Sequence, residues 1–176
     1  DCITEYLRAC IIVYSASHKK IWSLGDCACI INGQKHEMPK MIDTLLSTLR
    51  AFVIESAVKD GADVTQNDVG RQAIVPFLNN QLKFENDGDS IFGYGVLNGR
   101  GVNMDFINEY DVKNGDTVVL ASDGYPVLCD SLERSEAELA KLLEIDPMCI
   151  KENISTKGID NNNCSFYERT YIKFEV

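Results

Sequence analysis

Asn114-Gly115-Asp116-Thr117-Val118-Val119-Leu120-Ala121-Ser122-Asp123-Gly124 decides how the chain is read. Asn-Gly supplies the positive-φ residues of a tight turn. Residues 117–121 form a short apolar, β-branched run, the pattern of a strand buried on both faces. The run stops at Ser122-Asp123-Gly124. A carboxylate at the end of such a strand, next to a glycine that lets backbone come close, can hold a hard cation or a phosphate. It can equally cap the turn that follows. The residues alone leave both readings open.

Upstream, residues 106–112 read as a strand that turns at Lys113-Asn114-Gly115 into the central one. Further back, residues 4–37 read as an antiparallel meander. Apolar runs are broken at Gly25-Asp26, and Asn32-Gly33 is a hairpin signal. His18 falls in the first turn and His36 near an edge, positions that predict solvation. Between meander and central strand the period changes. Pro39 suits the first turn of a helix, and Ile42, Leu45, Leu46, Leu49, Phe52 and Val53 form one apolar stripe that Gly61 ends. Thr65 with Asp68 is a weak capping box opening a second helix through Ile74, Phe77, Leu78 and Leu82. Pro76 inside it predicts a kink or an early break. Two such helices can together cover one face of a sheet.

Residues 84–104 are rich in Gly, Asn and Asp and predict a long loop. Asp87 and Asp89 suggest a calcium loop, but the remaining ligand positions and the terminal Glu are missing. Asn98-Gly99-Arg100-Gly101 offers backbone N–H groups and a guanidinium, so Arg100 is a candidate phosphate ligand. A plain surface loop is the alternative. Downstream, Ser135 with Glu138 predicts the cap of a short helix through Leu139, Leu142 and Leu143, closed before Pro147. Residues 151–163 read as polar loop. The last strand alternates, with Thr170, Ile172, Phe174 and Val176 on one side and Arg169, Tyr171, Lys173 and Glu175 on the other. The element order predicts one α+β layered domain over residues 1–176.

A net charge of −10 argues against a nucleic-acid partner and against an anionic membrane surface. No apolar run approaches the roughly 18 residues of a membrane span. The seven cysteines are odd in number and match no zinc framework, which predicts reduced thiols in a cytoplasmic protein. Cys27 and Cys29 share one strand face, as a metal pair or as two buried small residues. Asn153-Ile154-Ser155 and Asn163-Cys164-Ser165 are formal glycosylation sequons without a secretory signal before them. The chain opens on Asp1 rather than Met, which predicts a fragment or a processed product.

Gly115-Asp116-Thr117 through Ser122-Asp123-Gly124, followed by Tyr125-Pro126-Val127-Leu128, resembles a motif of the metal-dependent protein phosphatases of type 2C, the PPM family. Leu24-Gly25-Asp26-Cys27 resembles that family's Gly-Asp-Ser, and residues 166–174 resemble its closing Asp-Asn-x-Thr strand. The resemblance implies a layered α/β/β/α sandwich of antiparallel sheets with flanking helices. It implies two Mn2+ or Mg2+ ions that activate a water against a phosphoserine or phosphothreonine of a phosphoprotein substrate. Carried over, Asp123 is the best metal ligand and Asp26 a carboxylate near the metal centre. The closing ligand position falls on Tyr167, with Glu168 beside it as the substitute carboxylate. A phenol is a poor ligand for hard ions because it stays protonated at neutral pH. The family's acidic first strand, its Asp-Gly strand and its phosphate-gripping arginine have no counterpart before residue 21.

Three readings follow. The first is a metal-dependent phosphatase lacking the family's N-terminal strands. The second is a catalytically inactive binding or regulatory module on the same fold. The third is an N-terminal-nucleophile hydrolase using Cys2 once Asp1 is removed. Oligomeric state is left open by all three.

Overall fold

The described chain runs β1 (Ile11–Ser15), β2 (Lys20–Leu24), β3 (Ala28–Ile31), β4 (Gln34–His36), α1 (Met41–Lys59) and α2 (Val69–Gln81). It continues through β5 (Ile107–Asp111), β6 (Thr117–Ala121), α3 (Leu132–Ile145) and β7 (Tyr171–Glu175). The computed structural model describes residues 7–64, 67–159 and 165–176. Cys2, the Thr65 cap, and Asn163 and Cys164 of the second sequon lie outside the described residues.

The strands form two antiparallel sheets, one ordered β1-β2-β5 and the other β4-β3-β6-β7. The expected meander is therefore split: β2 belongs to one sheet and β3 begins the other. The bend between them is Gly25-Asp26-Cys27. Gly25 has φ +87, and a Cβ there would lie 2.7 Å from Cys10 Cβ. Both the turn and the close approach of Cys10 require glycine. Alternation identifies strands but not the sheet each one joins, which is why the switch escaped the sequence. The hairpin at Asn32-Gly33 is present, with Ile31 opposite Gln34. The turn after β5 also passes between sheets. It is closed by Asp116, whose carboxylate accepts from Lys113 N at 2.8 Å and from Asn32 Nδ2 at 2.9 Å.

Strand β6 has the central place its composition predicts, paired with β3 on one side and β7 on the other. Its Val118 and Leu120 join Cys29 with Ile21 of the other sheet and Val112 just past β5, the core between the sheets. Val119 and Ala121 on its opposite face pack with Ala28, Ile30, Tyr125 and Leu128. Each fully buried valine contributes about 1.5–3 kcal/mol of hydrophobic stabilisation. The alternation of the last strand holds in part: Phe174 and Val176 meet the inter-sheet core and Tyr171 the outer one, but Ile172 is exposed.

Helix α1 spans the expected stretch, with Gly61 just past its end, but presents a different face. Leu46, Ser47, Arg50, Ala51 and Ile54 are buried, whereas Leu45, Leu49 and Phe52 are exposed. Neither sheet cluster includes a residue of α1 or α2; the two helices pack against each other. Helix α2 passes through Pro76 without an early break. Pro76 and Gln72, whose carbonyl loses its helical donor, are both exposed, so water can serve. Asp68 is itself the N-cap of α2, accepting from Arg71 N at 2.6 Å. For α3 the cap is Ser131, accepting from Arg134 N at 3.2 Å. Ser135 is instead buried in the first turn, where its hydroxyl accepts from Cys129 N at 2.9 Å.

Arg50 joins these parts. Its fully buried guanidinium donates to Asp68 and to the carbonyls of Met148 (2.9 Å), Cys149 (3.2 Å) and Ser155 (3.0 Å). The segment it reaches runs from Met148 into the stretch expected as polar loop, whose described residues form bends without helix or strand. The buried Asp146 carboxylate accepts from the N–H groups of Ile150 (3.0 Å), Lys151 (2.9 Å) and Asn153 (3.1 Å). Residues 84–104 are also more ordered than a plain surface loop. Asn86 bridges both the N–H and the carbonyl of Val96, and Tyr94 and Val96 are buried.

Candidate functional site

The sheet switch after β2, the end of β6 and the approach to β7 meet at one cleft of about 420 Å3. Asp26, Lys40, Asp43, Asp123, Ser155 and Tyr167 are among its walls. Asp26 and Asp123, from two separate motifs, are thus brought together. Lys40 is the N-cap residue of α1, and Asp43 follows one turn later with its N–H bonded to the Lys40 carbonyl at 3.1 Å. The Lys40 side chain folds back into the cleft. Its Nζ lies 2.6 Å from Asp26 Oδ2, 3.8 Å from Asp43 Oδ2 and 5.0 Å from the centre of the Tyr94 ring.

Charge in the cleft follows from this. Burial works against ionisation of Asp26, but the Lys40 charge and the hydrogen bonds from Cys10 and Lys40 outweigh it and hold the carboxyl below its ordinary range. Burial works against the Lys40 ammonium too, and Asp26 outweighs it, raising the lysine well above its ordinary value. Asp43 and Asp123 go the other way. Burial and the neighbouring Asp26 charge push both up, with Lys40 opposing. The Cys10 thiol is pushed to about 12 by burial and then by Asp26. Cys27 is pushed to about 11 by burial and by the charges of Asp26 and Asp123. Both thiols are held protonated and are poor nucleophiles.

Ser122-Asp123-Gly124 divides its work. Ser122 Oγ accepts from Thr170 N at 3.0 Å, tying the end of β6 to the start of the last strand. A Cβ on Gly124 would press on the Glu168 carbonyl and lie 2.5 Å from Arg169 Cβ. The backbone that this glycine admits is the protein's own, at residues 168–169. Asp123 alone lines the cleft. Of the closing pair, Tyr167 is in the wall; its hydroxyl shares a 2.9 Å hydrogen bond with Ser155, and Lys157 Nζ lies 4.0 Å from its ring centre. Glu168 is exposed and does not line the cleft. Arg100 lies apart from it as well, on an exposed turn where its N–H bonds to Asn98 Oδ1 at 3.0 Å.

Among the described residues, no group of three or more His, Cys, Asp or Glu side chains is placed to hold a metal ion. Asp87 Oδ1 accepts from Asp89 N at 3.1 Å, closing a local turn. Cys29 is buried between the sheets while Cys27 is only partly buried, and all five described cysteines are free thiols. His18 meets Trp22 edge to face, and His36 lies tilted against Tyr110. Among the described residues no helix is long and apolar enough to cross a membrane.

Lys40, Asp43 and Ser155 were not singled out by sequence reasoning. The available signal was the Lys-x-x-Asp spacing across the start of α1, which places both side chains on one turn. No family model matches the chain, and no curated protein matches it.

Proposed function

We propose that this chain is a type 2C-like phosphatase domain, an α/β/β/α sandwich, that serves as a binding or regulatory module and does not turn over phosphomonoesters. The observation that supports this is the Lys40 ammonium, 2.6 Å from Asp26 Oδ2 inside the carboxylate cleft. A pair of Mn2+ or Mg2+ ions needs several oxygens shared between them. Here Asp26 is engaged by Lys40, the third motif position carries Tyr167, and Glu168 is outside the cleft. Without such ions, three carboxyl groups against one ammonium repel a phosphate dianion. Free thiols fit a reducing, cytoplasmic setting. The net charge of −10 gives no footing for nucleic acid.

A second reading, a metal-dependent phosphatase acting on phosphoprotein with Mn2+ or Mg2+, is favoured by one observation: Asp26 and Asp123 line the same cleft. Hydrolysis of p-nitrophenyl phosphate with and without millimolar Mn2+, for the protein and for Asp123→Asn, separates the two. The proposed reading expects no turnover from folded protein. Mn2+-dependent turnover that disappears in Asp123→Asn would overturn it in favour of the second.

A further inference from the structure

We infer that Lys40 is the cleft's resident cation, a tethered ammonium that balances Asp26 and Asp43 in place of an ion drawn from solution. The inference rests on the non-catalytic reading above and gives it a structural cause.

The placement is built rather than incidental. A lysine on a surface turn ordinarily extends into water, because its ammonium is strongly hydrated and its stem has many rotamers to lose. Lys40 instead folds back until only 17% of its side chain is exposed, against an Asp26 side chain 27% exposed. Its ammonium donates to Asp26 at 2.6 Å, with Asp43 at 3.8 Å and the Tyr94 ring centre at 5.0 Å. The spacing is that of an ammonium. A hard divalent ion draws its oxygens to about 2.0–2.6 Å and takes six or more of them. With Lys40 in this position the nearby carboxylates are held at hydrogen-bonding distance or beyond, and no described set of three is gathered for a metal. Lys40 is also the N-cap of α1 while Asp26 belongs to the bend between the sheets. The cation therefore joins helix to sheet switch, and because it is covalently held, that joint needs no dissolved metal.

Thermal unfolding of the full chain, of Lys40→Arg and of Lys40→Met, each in chelator and in millimolar Mn2+, tests this. The native protein and Lys40→Arg are expected to be as stable in chelator as in Mn2+. Lys40→Met is expected to melt lower in chelator and to recover with Mn2+, by about 3–6 °C at ten times its Kd. If Lys40→Met does not fold in chelator, Mn2+ is expected to restore the fold. An equal Mn2+ response in native protein, an unchanged melt of Lys40→Met in chelator, or failure of Mn2+ to rescue it would each overturn the inference. No arm depends on turnover. A native protein found to hydrolyse p-nitrophenyl phosphate would remove the non-catalytic reading, and the Mn2+ response of Lys40→Met would still decide the role of the lysine.

Discussion

Arg50 gives one oxygen of Asp68 two hydrogen bonds, from Nε at 2.9 Å and from Nη2 at 2.6 Å, while its own guanidinium is fully buried. Asp68 caps α2, so this pair fixes how the helices meet. The remaining Arg50 donors fix the turn that supplies Ser155 to the cleft. A planar fork matches these diverging acceptors; a single ammonium cannot.

Arg50→Met is expected to lower stability by about 3 kcal/mol, because it leaves a carboxylate and three carbonyls without their donor. Arg50→Lys should recover only part of the loss. Urea unfolding gives the magnitude, and hydrogen exchange should show protection falling first in residues 148–156. A loss below about 1 kcal/mol would mean that the turn is held by Asp146 alone.

The Glu136–Arg169 pair predicts an acid dependence. Two hydrogen bonds from Arg169, both 2.8 Å, and then the Tyr125 hydroxyl lower the Glu136 carboxyl from 4.5 to about 2. A depressed carboxyl contributes stability above its unfolded pKa and loses that contribution as pH falls through its folded pKa. The window is therefore from about 4.5 down to about 2. Glu136→Gln lacks this contribution, so its deficit against the native protein should be largest near neutrality and shrink at about pH 3. Glu136 is 39% exposed, so salt should reduce the deficit as well. Urea titrations of both proteins at the two pH values check it; a deficit that stays constant would remove the pair from the acid response.

Two apolar residues on α1, two positions apart, should behave oppositely. Phe52 is 68% exposed and Ile54 is fully buried. Phe52→Ser is expected to change stability by no more than about 0.5 kcal/mol. Ile54→Ala should cost about 2–4 kcal/mol through lost burial and the cavity left behind. Denaturant midpoints rank them, and a Phe52→Ser cost equal to that of Ile54→Ala would mean that the outer face of α1 is covered in solution.

That contrast also marks where sequence was legible. Strand β6 was visible because a strand buried on both faces must be apolar at every position. The hairpin at Asn32-Gly33 was visible because its turn requires unusual backbone. The extent of α1 was visible from Pro39 and Gly61, but not its orientation, since its stripe was counted from hydrophobic residues only. An arginine between Leu46 and Ile54 reads as a solvated charge, and only the folded chain brings it four acceptors from far along the sequence. At the start of α3, Ser135 and Glu138 imitated a cap pattern, yet Ser131 made the bond. In the cleft, Asp123 was singled out because it ends a buried strand beside a glycine, and Asp26 only through the resemblance of Gly25-Asp26-Cys27 to a phosphatase motif. Lys40 was missed because its meaning depends on Asp26, which lies across a sheet switch that alternation cannot express.

The switch at Gly25 also constrains how the chain reaches its fold. Leu24 pairs with Ile107 and Ala28 with Ala121, so both sheets must recruit strands from beyond the two helices. The hairpins β1-β2 and β3-β4 and the α1–α2 pair can form from near neighbours in sequence. Neither sheet is complete until the long intervening chain has closed, and closure costs entropy before the inter-sheet core returns any stabilisation. Residues 107–121 supply a partner to both sheets at once, so a single long closure serves the two together.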